Sequence, residues 1–266
     1  MFLSGLYVYP IKSLKGISLQ EAKVERRGLQ YDRRWMLIDA DNRFMTQREY
    51  PTMATITVAI DPAGLRVAAK NQSSLIVPFE TNGSKSLEVQ IWKDSCKALP
   101  VDGKIDGWFS EVLGTACRLV YMPDQTRRAV NPSYAIGDDV VSFADAYPFL
   151  LVTEASLEDL NSRLPNRISM NRFRPNLVIS GAEAFAEDDW KSVQIGAACF
   201  HVAKPCARCV LPSVDQELGV KTGDEPLRTL STFRRRDNEV HFGQNLIANG
   251  EDKIVRVGDR LTVTAT

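Results

Sequence analysis

The chain has 266 residues, 44% of them hydrophobic and 25% charged, and its 33 basic side chains balance its 33 acidic ones. That composition is ordinarily globular, with length enough for one large domain or two smaller ones. It excludes a non-specific nucleic-acid binder, a disordered chain and a membrane helix, since no run approaches ~20 apolar residues.

The first residues, Met1-Phe2-Leu3-Ser4-Gly5, lack the basic and apolar segments of a secretory signal. Cys96, Cys117, Cys199, Cys206 and Cys209 are an odd number of cysteines. Free thiols, a reducing compartment and a cytoplasmic location are therefore expected. With only His201 and His241 present, a His-rich metal site is excluded.

In chain order, Leu6 and Val8 alternate with Tyr7 and Tyr9, Trp35 to Ile38 is a short apolar run, and Thr55 to Ile60 alternates. Leu65 to Ala68, Leu75 to Pro78 and Leu87 to Trp92 continue the strand pattern. Turns at Asp41-Asn42, Asp61-Pro62-Ala63-Gly64 and Thr81-Asn82-Gly83 separate these runs. Close-set short strands predict a barrel or a strongly curved sheet. Ile105, Trp108, Phe109, Val112 and Leu113 then mark one face of a helix that Gly114 ends, and Cys117 to Met122 is a strand. Residues 123–140 are polar and carry Pro123 and Pro132, so a linker or mobile loop is expected there. The main boundary accordingly divides residues 1–122 from residues 123–266. A second helix runs from about Glu154 to Leu164, with Thr153 as N-cap and Pro165 as stop. Asn176 to Ile179, Ser192 to Ile195, Cys199 to Val202 and Arg256 to Thr264 complete a mainly β fold with a few helices, of α+β class.

The segment Lys204-Pro205-Cys206-Ala207-Arg208-Cys209 carries the most chemistry. Pro205 is expected to end regular pairing of the strand before it. Two cysteines three apart on a turn can share a metal ion, cycle through a disulfide or expose one reactive thiolate, and Lys204 and Arg208 would favour the thiolate. They can equally be structural thiols. A zinc site would need further ligands from scattered residues, and Pro212 speaks against the helix of a thioredoxin-like motif.

Three basic segments accompany this pair. Lys12 and Ser13, on the turn Tyr9-Pro10-Ile11-Lys12-Ser13-Leu14-Lys15-Gly16, could hold an anion such as phosphate. Arg33 and Arg34 adjoin a strand and should point to opposite sides, so that only one faces a shared site. Arg174, in Asn171-Arg172-Phe173-Arg174-Pro175-Asn176, precedes a proline and is expected in extended backbone, its guanidinium free to fork onto a phosphate or carboxylate beside Asn176. Taken singly, each is also readable as a solvated basic turn or an arginine paired with an acidic neighbour.

Those segments, with Asp32-Arg33-Arg34-Trp35, Phe242-Gly243-Gln244-Asn245 and Val257-Gly258-Asp259-Arg260-Leu261, resemble the MOSC superfamily in its two-part form. The resemblance spans essentially the whole chain and is strongest to the mitochondrial amidoxime-reducing components and their bacterial counterparts. It implies an N-terminal β-barrel region, a MOSC β-barrel domain with flanking helices, and a molybdenum–molybdopterin cofactor.

By position, the resemblance makes Cys209 the catalytic thiolate and molybdenum ligand, completing the pterin's own sulfur donors. It sets Lys12, Ser13, Arg33, Arg174 and Asn176 around the cofactor's phosphate and pterin. Asp145, Ala146 and Tyr147 would meet the pterin edge; Ala207, Arg208 and Asn245 would approach it, with Thr46 and Arg48 as further contacts. Pro212, Ser213 and Gln216 depart from the family's usual pattern, Gln216 standing where a Val-Asp-Pro motif has its proline, and Ala146-Tyr147 replace Thr-Ser. The implied reaction reduces N-hydroxylated compounds such as amidoximes, hydroxylamines and N-hydroxylated bases to amines. No cysteine follows Cys209, so an iron–sulfur domain is not expected and electrons would come from a separate ferredoxin, cytochrome b5-like protein or flavin reductase. No nucleic-acid polymer and no membrane is expected as partner. A non-catalytic cofactor carrier, a sulfur-transfer protein and a small dithiol redox module remain alternatives.

Overall fold

The computed structural model describes residues 1–81 and 85–264. Of the turn expected at Thr81-Asn82-Gly83, Asn82 and Gly83 lie outside the described residues. The fold is mixed α+β and dominated by strands, as the alternating runs imply.

The largest sheet runs, in spatial order, Ile17–Ser18, Phe2–Val8, Leu177–Ser180, Phe149–Thr153, Glu239–Asn249, Ala198–Ala207, Ser192–Ile195 and Leu261–Thr264, with Arg235–Arg236 added to Glu239–Asn249. Its one parallel pair is Phe149–Thr153 with Leu177–Ser180, and parallel neighbours need a crossover. Helix Glu154–Arg163 lies in that connection, the Thr153 hydroxyl capping it by accepting the Ser156 N–H. The two ends of the sheet meet through a bridge between Phe2 and Arg260 and a 2.9 Å bond from Leu3 N–H to the Asp259 carbonyl. Curling in this way covers strand edges that would otherwise recruit other chains. Alternation fills the interior: Val193 and Ile195 face in while Gln194 faces out, and Leu3, Leu6, Phe149, Phe200 and Leu246 join them.

A second body comprises the sheet Trp35–Ile38, Arg118–Tyr121, Asp94–Pro100 and Leu87–Ile91, and the sheet Thr57–Asp61, Gly64–Ala68 and Leu75–Val77. Helix Gly103–Leu113 seals it by packing Ile105 and Phe109 against Trp35, Leu65 and Leu119. Asp102 caps its start, and Gly114 at φ 67 ends it where glycine was expected to.

Four expectations are corrected. The strand expected from Arg256 to Thr264 is two strands, Lys253–Arg256 and Leu261–Thr264, because Gly258 at φ 94 turns the chain to donate its N–H to the Leu3 carbonyl. The linker or mobile loop expected over residues 123–140 is an irregular segment tied down at its flanks, residues 131–139 between them being mostly exposed. Arg128, 4% exposed, pins that segment by donating to the carbonyls of Ser142, Ala144 and Asp145 and to the Asp94 carboxylate. Pro205 does not end pairing: the strand Ala198–Ala207 passes through it, with bulges between Val202 and Lys204 and between Pro205 and Ala207. Bulges accommodate the missing N–H and re-aim the following side chains. Finally Arg174 is left-handed, at φ 54, rather than extended.

Candidate functional site

The bulged end of Ala198–Ala207 delivers Cys206 to Cys209 to a cavity of about 230 Å³. Opposite walls come from the turn after the first strand, from Arg33 and Arg48, and from the segments around Asp145 and Arg174. All the residues expected at the site line this one cavity except Thr46, which is buried behind it and accepts the Arg48 N–H on its hydroxyl. Arg33 and Arg34 part as alternation requires: Arg33 faces the cavity, and Arg34 turns away to the Met122 carbonyl and Asp124.

The cations differ in how far their charge is already used. Lys12 donates to Asp145 at 2.5 Å and to the Phe143 carbonyl at 2.8 Å. Burial lowers its pKa to about 8, against the pull of Asp145. Burial alone would push the Asp145 carboxyl up, but Lys12 and Arg48, with hydrogen bonds from Lys12 and Trp92, hold it well below the usual carboxylate range. Half of the Asp145 side chain is still accessible, since it faces the open cavity. Arg33 is held by Asp32 and by Asn176 Oδ1, at 2.5 and 3.2 Å, and donates to the Arg174 carbonyl. Arg208 is committed to the carbonyls of Phe242 and Phe173, so its guanidinium ties the strand Glu239–Asn249 to the turn before Arg174.

Arg174 is the exception. It is 7% exposed, its Nη1 meets Gln216 Oε1 at 3.4 Å, and its Nη2 has no hydrogen-bond partner. Burial lowers its pKa to about 10, which leaves it charged at neutral pH. Arg174 and Arg33 both lie over the Tyr9 ring, 4.2 and 4.1 Å from its centroid. Ser13, Arg33 and Arg174 all adopt positive φ, a backbone cost that non-glycine residues carry where the surroundings impose it.

Among the described residues all cysteines are free. Cys209 is exposed and accepts a hydrogen bond from Arg48 Nη1 at 3.2 Å. Cys206 is part-buried, and burial pushes its thiol pKa up despite Arg208, so the expected activation by positive charge fails at this position. No cluster of three or more His, Cys, Asp or Glu among the described residues could hold a bare metal ion. The cavity does suit an anionic group that brings its own metal donors: a buried arginine keeps one donor, Nη2, without a partner, and one exposed thiol faces the same space.

Sequence reasoning missed Tyr9, Trp92 and the buried pair Gln47 and Gln216. Trp92, 46% exposed, donates to Asp145 at 3.3 Å and lies under Arg48, 4.3 Å from ring centroid to guanidinium. In sequence it is only the end of an alternating run. The one signal for Gln216 was its departure from the family motif.

The MOSC N-terminal beta barrel domain family matches residues 1–116, and the MOSC domain family matches residues 138–262. The chain is 36% identical to mitochondrial amidoxime-reducing component 1 of Mus musculus over 97% of its own length and 80% of that protein. It is 32% identical to the Homo sapiens protein of the same name, over 97% and 81%. A molybdenum cofactor sulfurase from Oryza sativa subsp. japonica is 31% identical over 94% of the chain but only 32% of its own length. The homology supports a redox enzyme. The chain belongs to the MOSC-domain proteins with an N-terminal MOSC β-barrel region, and is homologous to the mitochondrial amidoxime-reducing components.

Proposed function

We propose that the chain is a cytoplasmic reductase of N-hydroxylated compounds that carries molybdenum–molybdopterin and takes electrons from a separate redox protein. The observation that supports this best is one cavity shared by an exposed thiol, Cys209, and a buried arginine whose Nη2 lacks a partner. In the proposed division, residues 1–122 supply Lys12, Ser13, Arg33 and Arg48, and residues 123–266 supply the remaining walls.

When bound, the cofactor supplies two-electron metal chemistry. Arg174 and Arg33 would hold its phosphate, with the Ser13 hydroxyl and the Asn176 amide beside them. Cys209 would be the protein's thiolate ligand to the metal. The Arg48 hydrogen bond fixes the direction of that sulfur. Trp92, stacked on Arg48, would help hold that guanidinium in place. In the net reaction an N–OH compound takes up two electrons and two protons and leaves as amine and water.

The similarity to a molybdenum cofactor sulfurase favours a second reading, a cofactor carrier or sulfur-transfer protein. Protein made in a host that synthesises the cofactor separates the two. The proposal expects one molybdenum per chain and turnover of benzamidoxime with reduced viologen. Molybdenum without turnover would favour the carrier, and absence of molybdenum would sink both. Cys209→Ala should abolish turnover while Cys206→Ser keeps much of it; equal loss would point to a paired-thiol mechanism.

A further inference from the structure

Gln47 and Gln216 are 0% and 4% exposed and bond to each other reciprocally: Gln216 Nε2 donates to Gln47 Oε1 at 2.9 Å, and Gln47 Nε2 to Gln216 Oε1 at 3.2 Å. Their outer contacts determine which way each amide faces. Gln47 Nε2 also donates to the Ser13 carbonyl at 2.7 Å, and Gln216 Nε2 to the Val214 carbonyl at 3.2 Å. Turning either amide over would set oxygen against oxygen at these carbonyls. Gln216 Oε1 is thereby left facing Arg174 Nη1, at 3.4 Å.

Two features single this pair out. It joins the two matched segments, Gln47 from residues 1–116 and Gln216 from residues 138–262. It also backs two cavity residues held at positive φ, Ser13 and Arg174. A proline at position 216, as in the family's usual motif, offers neither the acceptor nor the donor.

We infer that the Gln47–Gln216 amide pair is a positioning device for the anion-binding wall, aiming the Arg174 guanidinium and the Ser13 turn into the cavity without neutralising their charge. The neutrality of the acceptor is the essential property. A carboxylate at position 216 would also orient Arg174, but it would pair with its charge and compete with any incoming anion. The inference rests on the reading of Arg174 as an anion-binding group and not on the identity of the cofactor.

The test uses the full-length, cofactor-free protein with inorganic phosphate as probe, read by calorimetry beside the melting temperature. Gln216→Glu should weaken phosphate binding by about tenfold or more, and lower the melting temperature somewhat, because its second carboxylate oxygen meets Gln47 Oε1 and the Val214 carbonyl where an amide N–H donated. In an Arg174→Met background the same substitution should add nothing to the loss. Gln216→Met, similar in volume but uncharged, should weaken binding about threefold or more through lost orientation. A merely structural role would lower the affinity by the same factor with or without Arg174, whatever the melting temperature does. Unchanged affinity in folded Gln216→Glu or Gln216→Met, equal loss in the Arg174→Met background, or no phosphate binding by the unaltered chain would each overturn the inference. A chain that takes up no molybdenum when made in a host that synthesises the cofactor, yet shows this charge-dependent phosphate binding, would refute the cofactor reading and leave this one standing.

Discussion

A buried guanidinium whose Nη2 has no protein partner carries a desolvation cost of roughly several kcal/mol. Arg174 carries that cost, and Tyr9 and Gln216 offset only part of it. Arg174→Met should therefore leave the ligand-free protein at least as stable, within about 1 kcal/mol by chemical denaturation, while molybdenum content falls sharply. A loss of stability with normal molybdenum content would contradict the assignment. Lys12 yields a prediction in pH. Burial lowers its pKa to about 8, so it sheds its proton as pH rises through that value and leaves the Asp145 carboxylate without its partner. The cavity then loses one positive charge, and affinity for sulfate, whose own charge is constant, should fall between about pH 7 and about pH 9. Lys12→Met should flatten that profile. The stability sign is separate: above about 8 the unfolded chain keeps the lysine proton that the folded chain releases, so the contribution of Lys12 to stability rises with pH. Asp145, held low, contributes stability that is lost as pH falls below the ordinary carboxylate range.

Among elements, the strand Glu239–Asn249 shows where pattern reading stops. It is central in the largest sheet, yet Gly243, Gln244 and Asn245 break its apolar alternation, and only the resemblance marked them. The glycine is there for space and conformation: at φ 77, a Cβ would lie 2.7 Å from the Leu151 carbonyl oxygen. Gly243→Ala should destabilise the fold by about 2–4 kcal/mol, seen as a lowered denaturation midpoint. A midpoint unchanged within error would show that the neighbouring strand gives way. Helices Gly103–Leu113 and Glu154–Arg163 were legible because their signals are local: an apolar face at helical spacing, a cap at Thr153, a stop at Gly114 or Pro165. Pro205 misled for the same reason. Locally it should end a ladder, but the pair of strands absorbs it through one bulge on each, which no single-chain pattern announces.

At the scale of the molecule, the first strand decides the architecture. Phe2–Val8 pairs with Leu177–Ser180 and buries Leu3, Leu6 and Val8, each side chain contributing about 1.5–3 kcal/mol. A fragment of residues 123–266 would lose those contacts and bare an edge strand. It should aggregate or show no cooperative melting transition, and adding residues 1–122 in trans should restore solubility. A fragment that melts cooperatively by itself would contradict this dependence. No helix among the described residues is long and apolar enough to cross a membrane, in keeping with the hydropathy of the chain. Residue types, turn chemistry, helix caps and motif spacing lie along the chain, so the sequence by itself determined the mainly β class and both longer helices; its site residues were named through the resemblance, and all but Thr46 line one cavity. Charge partnership depends on distance between residues far apart in sequence. Only the tertiary structure therefore decided that Lys12 is paired with Asp145, that Arg208 ties Phe242 to the Phe173 turn, that Gln47 meets Gln216, and that Arg174 alone among these cations keeps a buried donor unpartnered.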